Sequence, residues 1–164
     1  MTAAVHRFSI PPVVKTVTVE CSPQTAFDVF TSQIGQWYPL ERFSIRASVD
    51  CRIEPRVGGR VYEIGFDGQE TLWGYVLDWN PPHGLAISWQ ARVSRDEAQR
   101  VEINFRPVSA GTEVTLVHAG WENLKVAARE WRDKYDAGWV EVFERRFKDF
   151  ADRTAEANIK GKQK

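Results

Sequence analysis

The side chains best suited to proton transfer near neutral pH are three histidines, His6, His83 and His118. None of them stands at metal-ligand spacing from a Cys, Asp or Glu, so we predict no metal site and no cofactor. His118 falls on the apolar face of a predicted strand. A histidine there is most often a core residue hydrogen-bonded to the backbone or to a Tyr. It could also orient a ligand or act as a general acid or base, with Glu63 or Glu113 as its carboxylate partner, and it is the one catalytic candidate.

Motifs for other chemistry are missing from the sequence. There is no Gly-x-Ser-x-Gly elbow, no P-loop and no dinucleotide fingerprint. The glycine pair Gly58-Gly59 lies in a predicted hairpin turn, without the helix that a phosphate-binding loop needs. A binding protein is therefore expected more than an enzyme.

Aromatic residues are abundant, with seven Trp, nine Phe and four Tyr. Such rings fill a core or line a ligand pocket. Arg146, at the edge of the apolar stripe of the predicted last helix, either keeps its head in water or pairs with a ligand carboxylate or phenolate. The residues predicted to line a cavity are Trp37, Tyr38, Phe43, Trp73, Tyr75, Trp89, Phe105, His118, Trp121, Tyr135, Trp139, Phe143 and Arg146.

Charge and hydropathy limit the function classes. The formal net charge is zero and the pI is about 6.8, so there is no general attraction to nucleic acid or to anionic lipid. No apolar run is long enough for a membrane span, and the first residues lack the apolar core of a signal peptide. We expect a cytoplasmic protein in which Cys21 and Cys51 are free thiols.

The element that must position these residues is a helix predicted at residues 135–156. At 100° per residue its apolar side chains share one stripe, and its charged ones lie opposite. Four large rings on one stripe require a broad apolar partner. The stripe consists of Trp139, Val140, Phe143, Phe147, Phe150 and Ala151.

The rest of the chain is mainly β-structure. A strand at residues 13–20 precedes a helix that begins with Ser22 as N-cap and Pro23 at its first position. A short helical turn is predicted at residues 34–37 and a packed loop, with room for one helical stretch, at 120–134. In the strand at 70–79, alternation places Trp73, Tyr75 and Trp79 on one face. Further strands are predicted at 43–49, 51–54, 60–66, 85–89, 100–107 and 112–119.

These elements predict an α+β fold in which a curved antiparallel sheet of about six or seven strands wraps around the long C-terminal helix. One or two short helices follow the first strand. We expect a single domain over residues 1–164 with its core at 13–157, flexible ends at 1–10 and 158–164, and a cavity between helix and sheet.

Several short motifs, in this order and spacing, resemble the activator of Hsp90 ATPase homologue 1-like (AHSA1-like) family of the START/Bet v 1-like (SRPBCC) helix-grip superfamily. The resemblance spans about residues 13–153. The motifs are Ser22-Pro23, Glu54-Pro55-Arg56-Val57-Gly58-Gly59-Arg60, Asp67-Gly68, Gly74-Tyr75-Val76, Asn80-Pro81-Pro82-His83-Gly84-Leu85, Ser88-Trp89, Gly111-Thr112-Glu113-Val114-Thr115-Leu116, His118-Ala119-Gly120-Trp121 and Gly138-Trp139.

The resemblance implies that a small hydrophobic or aromatic molecule binds between the helix and the sheet. A few relatives are polyketide cyclases or aromatases, so an enzyme of cyclase or aromatase type, or a small hydrolase, using the same cavity is the first alternative. The eukaryotic namesake is a co-chaperone with a further N-terminal domain. This chain has no room for that domain, so a module acting on an Hsp90-type chaperone is the less expected alternative. The aromatic residues also permit a homodimer.

Overall fold

The computed structural model describes residues 10–162. Seven strands form one antiparallel sheet in the order β1-β7-β6-β5-β4-β3-β2, and a long helical segment closes the chain. The predicted α+β helix-grip fold is confirmed. The strands are β1 (Val13–Val19), β2 (Ser48–Ile53), β3 (Arg60–Gly65), β4 (Glu70–Asn80), β5 (Gly84–Trp89), β6 (Gln99–Val108) and β7 (Gly111–Ala119).

Three short helices connect β1 to β2, namely α1 (Pro23–Phe30), α2 (Ile34–Trp37) and α3 (Leu40–Phe43). The start of α1 is the predicted one, because the Ser22 hydroxyl accepts a hydrogen bond from the Thr25 amide at 3.2 Å. The helix buries Phe27 and Phe30 against the sheet. Cys21 and Cys51 are buried free thiols, as predicted.

The strand predicted at residues 43–49 is wrong. Phe43 ends α3, Ala47 has a φ of +40°, and β2 begins only at Ser48. The buried carboxylate of Glu63 on β3 accepts hydrogen bonds from the backbone amides of Ile45 and Arg46 at 2.7 and 3.0 Å. Because those amides point at a side chain, they are not available to a neighbouring strand.

The predicted face of β4 is also wrong. The pairing register shifts where Trp73 is an extra residue opposite β3 and again where Leu77 is extra opposite β5. Each bulge reverses the alternation of side chains. Trp73 is therefore buried, whereas Tyr75 is 41% exposed on the other face of the sheet.

The C-terminal helical segment is longer than predicted. It consists of α4 (Ala128–Trp139), a π-helical segment (Val140–Phe147) and α5 (Lys148–Lys162). The π-helical turns shift the phase of the stripe, so Val142 is buried and Val140 is 45% exposed. The helix continues through residues 158–162. The flexibility predicted for both ends stays a prediction, and residues 1–9 and 163–164 lie outside the described part.

Short 3-10 turns at Arg95–Glu97 and Trp121–Ala127 complete the fold, so only the first half of the predicted loop at 120–134 is non-α-helical. Within residues 10–162, no helix combines the length and the apolar character that a bilayer crossing requires.

Candidate ligand-binding cavity

An open cavity of about 220 Å³ lies between α4 and the concave side of the sheet, near the end formed by β4 and β5. For scale, an engineered cavity of about 150 Å³ in another protein holds benzene. The short helices α2 and α3 and the turn after β5 complete the wall. Its residues are Tyr38, Arg42, Phe43, Ile45, Trp73, Trp89, Ala91, Arg92, Trp131, Lys134, Tyr135, Gly138, Trp139 and Val142.

Aromatic rings in mutual contact form the floor of the cavity. The ring centroids of Tyr38 and Trp73 are 4.9 Å apart, and those of Trp73 and Trp89 are 5.7 Å apart. The Trp89 indole donates a hydrogen bond to the Tyr135 hydroxyl at 2.9 Å. Trp131 continues the wall, 6.2 Å from Tyr135. These contacts hold the flat ring faces in place before any ligand arrives.

Glu63 fixes the position of Trp73 from behind. Its carboxylate is fully buried and accepts a hydrogen bond from the Trp73 indole at 2.7 Å. It also accepts hydrogen bonds from the Ser48 hydroxyl and from the backbone of Ile45 and Arg46. Burial raises the pKa of Glu63, but these donors outweigh it and hold the pKa below its usual range. The ionised Glu63 therefore ties a floor residue of the cavity to the α3–β2 loop.

The two tyrosine hydroxyls keep their protons. Burial raises the pKa of Tyr38 well above its usual value and raises that of Tyr135 as well, whereas the positive charge of Arg92 lowers both. Among residues 10–162, every fully buried polar side-chain atom has a partner, and the Tyr38 hydroxyl makes no hydrogen bond. That hydroxyl therefore reaches the open space, where it can donate to a ligand oxygen.

His118 lies behind the cavity wall and not in it. It is fully buried, and its Nδ1 accepts a hydrogen bond from the Trp139 indole at 3.0 Å. Its Nε2 is 3.2 Å from the Gln99 amide oxygen, so the neutral ring donates there. Burial lowers the pKa of His118 to about 3. Both nitrogens of this neutral imidazole are used in hydrogen bonds to core side chains. This geometry favours a structural role for His118 and argues against proton transfer to a ligand.

The comparison with family models decides the assignment. The model for "Activator of Hsp90 ATPase homolog 1-like protein" matches residues 20–152. The chain belongs to this family. No curated protein matches the chain.

Solved structures of similar proteins have the same fold. The anthrahydroquino-Gama-pyrone synthase Txn09, complexed with SUM, is 33% identical, with a TM-score of 0.60 over 87% of this chain and 97% of its own. Protein MLL2253 from Mesorhizobium loti is 20% identical, with a TM-score of 0.66 over 87% of this chain and 98% of its own. Protein NE0264 from Nitrosomonas europaea is 14% identical, with a TM-score of 0.64 over 90% of this chain and 96% of its own. The helix-grip fold of the family supports a ligand-binding cavity.

The cavity contains six of the residues that the sequence singled out, and the others lie elsewhere. Phe105 and Phe143 are buried outside the cavity wall, and the ring centroid of Trp121 lies 4.1 Å from that of His118. Arg146 pairs at the surface with Glu41 and Glu141 at 2.6 and 3.2 Å. The six wall residues are Tyr38, Phe43, Trp73, Trp89, Tyr135 and Trp139, while Trp37 lines a small gap deeper in the core and Tyr75 faces solvent.

Sequence reasoning missed other parts of the wall. Trp131, Gly138 and Val142 belong to the same helical segment as Tyr135 and Trp139. The spacing of Trp131 and Tyr135, four residues apart, is helical, so an earlier helix start would have included Trp131. Arg92 follows a strand in a tight turn, and no periodic pattern marks it.

Proposed function

We propose that this protein binds a flat hydrophobic or aromatic molecule in the cavity beneath α4. The observation that carries the proposal is the composition of the wall. Seven of the fourteen wall residues are aromatic, compared with 12% of the whole sequence. Flat rings with few polar groups between them suit a flat ligand.

The apolar area that a ligand could bury in the cavity corresponds to a moderate affinity. A ligand that buries the area of one large aromatic side chain, about 150–250 Å², gains roughly 4–6 kcal/mol at about 25 cal/mol per Å². That corresponds to dissociation constants from about a millimolar to tens of micromolar. Tighter binding requires additional polar contacts.

Gly138 offers a direct way to test the proposal. It faces the cavity from α4, and a Cβ built on it would contact only a ring atom of Phe43, at 3.7 Å. Gly138→Leu would therefore place a side chain in the open space, and Leu favours a helix more than Gly does. We expect this variant to fold and to lose binding of the neutral fluorescent probe N-phenyl-1-naphthylamine, measured by fluorescence titration.

Gly161→Leu is the matched control. Gly161 lies in α5, where a Cβ would meet nothing within 4 Å. The same Gly-to-Leu change there is expected to leave the dissociation constant unchanged. Equal probe binding by the wild type and Gly138→Leu would show that the probe does not occupy this cavity. Failure of the wild type to bind either this probe or its anionic analogue 1-anilinonaphthalene-8-sulfonate would contradict the proposal.

A cyclase-type reaction in the same cavity is the second candidate, favoured by one comparison. The relative at 33% identity is, by its name, a synthase of a γ-pyrone. A fused γ-pyrone forms when a phenol oxygen adds to the far carbonyl carbon of a neighbouring 1,3-diketone. A C–O bond forms, the phenol proton passes to the carbonyl oxygen, and water leaves in a second step.

The tyrosines of this chain have the geometry to assist such a step. Tyr135 accepts from the Trp89 indole, so its own proton is free for a ligand carbonyl oxygen. Proton donation to that oxygen would make the carbonyl carbon more electrophilic. The test is ring closure of a hydroxyaryl 1,3-diketone, followed by absorbance. Tyr135→Phe is expected to slow it by about tenfold or more while the neutral probe still binds, and no acceleration by the wild type would remove this candidate.

A further inference from the structure

The charges on the cavity wall are all of one sign. The wall contains Arg42, Arg92 and Lys134 and no acidic residue, although the whole chain has equal numbers of acidic and basic side chains. A flat apolar ligand alone would not require this arrangement. A cation that is already paired with a carboxylate has little to offer a ligand, so the three differ in what they can bind.

Two of the three cations have carboxylate partners outside the wall. The guanidinium of Arg42 lies 3.7 Å from the Glu141 carboxylate, and the ammonium of Lys134 lies 3.1 Å from that of Glu130. Lys134 also lies over the Trp131 ring at 4.9 Å. Both side chains are therefore engaged at the rim.

Arg92 differs from them. Within residues 10–162 it forms no ion pair, and its one side-chain hydrogen bond is donated by Nη2 to the Ser44 carbonyl oxygen at 2.8 Å. A guanidinium has five N–H donors, so most of its donors stay available. Arg92 lines the same cavity wall as Tyr38 and Tyr135, and its positive charge lowers the pKa of both hydroxyls.

The backbone holds Arg92 in an uncommon conformation. Its φ is +67°, a value that favours Gly or Asn, in a turn where the Val93 amide donates to the Gln90 carbonyl oxygen at 3.2 Å. Non-glycine residues in this region cluster at ligand-binding and active sites. The turn and the Ser44 contact together aim an unpaired cation at the cavity.

We propose that Arg92 is the specificity-determining residue of this cavity and that it selects aromatic ligands carrying one negatively charged oxygen. The shared chemistry is an anionic oxygen at the edge of a flat ring system, whether a carboxylate or an ionised hydroxyl. The inference rests on the proposed function, because the aromatic body of the ligand must occupy the space between Trp73, Trp89 and Trp131.

A pair of probes that differ by one sulfonate group tests this inference, and the Arg92 variants below separate the effect of its charge from that of its size. 1-Anilinonaphthalene-8-sulfonate is N-phenyl-1-naphthylamine with one added sulfonate, and both fluoresce when bound in an apolar site. We expect the wild type to bind the anionic probe about three- to tenfold more tightly than the neutral one, since Arg92 is exposed enough for solvent to screen it. The preference should weaken as salt is added.

Variants of Arg92 assign the preference to this residue. Arg92→Gln keeps a polar side chain of similar length, and we expect it to weaken the anionic probe by about three- to tenfold and the neutral probe by less than about twofold. Arg92→Lys should retain most of the preference. Arg95→Gln is the matched control, because Arg95 is exposed and lies outside the wall, and it should change neither constant.

The outcomes distinguish failure of the Arg92 proposal from failure of the proposed ligand-binding function. Binding of the neutral probe with no preference for the anionic one, or a preference that survives Arg92→Gln, would overturn the role of Arg92 and leave the proposed function standing. Failure of both probes to bind the wild type would overturn both proposals. Displacement of the neutral probe by 2-naphthoate, compared with 2-hydroxy-1,4-naphthoquinone, whose hydroxyl is ionised at neutral pH, then identifies whether a carboxylate or an ionised hydroxyl is preferred.

Discussion

The two ends of the space between helix and sheet are built from different rings. One end is a phenylalanine cluster, formed by Phe27, Phe30, Phe105, Phe143 and Phe147, which is closely packed with centroids 5.3–5.4 Å apart in its tightest pairs. The other end is the open cavity, whose rings are Trp and Tyr apart from Phe43. The same helical segment contributes to both ends.

The difference follows from the polar handles of the rings. Phe can be surrounded by hydrocarbon, so a cluster of Phe rings can close completely. Tyr hydroxyls and Trp N–H groups need partners, and cations need water. The Tyr38, Tyr135 and Arg92 side chains line the open end. The π-helical segment contributes to both ends, since Val142 lies in the cavity wall and Phe143 and Phe147 belong to the phenylalanine cluster.

The largest expected effect concerns the closed end. Phe147 is fully buried against Phe30, Trp37 and Phe143. Phe147→Ala should lower the free energy of unfolding by about 3–5 kcal/mol, because it leaves a cavity in close packing. Trp131→Ala at the open end removes a larger ring but should cost less than about 1.5 kcal/mol. Urea denaturation measures both, and equal losses would contradict the contrast.

Glu63 should matter for both stability and binding. Glu63→Gln replaces an acceptor of four hydrogen bonds by a group with one acceptor oxygen, and we expect a loss of about 2 kcal/mol. The folded state holds the pKa of Glu63 below its unfolded value of about 4.3, so its contribution is present above that pH and is lost as the pH falls through the folded pKa.

The difference in unfolding free energy between wild type and Glu63→Gln should therefore shrink below about pH 4. Affinity for the neutral probe should also fall in the variant, since Trp73 and the loop with Ile45 lose their common anchor. A pH-independent difference with unchanged probe binding would show that Glu63 does not support the cavity.

His118 should behave as a group of the closed core. Its pKa of about 3 lies below the unfolded value of about 6.5, so the unfolded chain binds more protons between these values. The contribution of neutral His118 to the free energy of unfolding is fully present above about pH 6.5. As the pH is lowered below that value, the free energy of unfolding should decrease by up to about 1.4 kcal/mol for each pH unit. The slope should be absent from His118→Asn, measured by urea denaturation from pH 7 to pH 5. An NMR titration of His118 near its ordinary pKa would instead place it in contact with solvent.

The smallest expected effect concerns the open end, where a larger side chain should not lower the free energy of unfolding. Gly138→Ala should raise the free energy of unfolding by up to about 1 kcal/mol, because Ala favours a helix and the new methyl group meets only Phe43. Gly161→Ala is the control without a cavity contact, and because Gly161 lies next to the end of α5 it should leave the free energy of unfolding unchanged. Destabilisation by Gly138→Ala alone would indicate that this part of the wall is closely packed.

Regular patterns in the sequence were reliable, and local irregularities were not. In β6, Val101, Ile103 and Phe105 alternate with polar residues and all three are buried, as strand periodicity predicts, since nothing interrupts that strand. In β4 the same reasoning failed for Tyr75, because bulges at Trp73 and Leu77 reverse the faces. Bulges depend on pairing with neighbouring strands, so a single strand's sequence does not reveal them.

The candidate cavity was predictable only in part. Its place under the last helix and six of its aromatic residues followed from the sequence and the family resemblance. The π-helical segment Val140–Phe147 turns Val142 toward the cavity, and the start of α4 at Ala128 adds Trp131 to the wall. A helical wheel with a fixed 100° per residue detects neither feature. The role of Glu63 rests on contacts with residues 17 and 18 positions earlier in the chain.

The seven tryptophans report most directly on whether a ligand occupies this cavity. Four of them, Trp73, Trp89, Trp131 and Trp139, line the cavity, whereas Trp37, Trp79 and Trp121 do not. In ¹⁵N-labelled protein titrated with N-phenyl-1-naphthylamine, we predict that the indole signals of the four shift with one dissociation constant and that those of the other three stay in place. Shifts led by Trp79, which packs against Phe27 at the other end, or no shifts at all, would contradict the account.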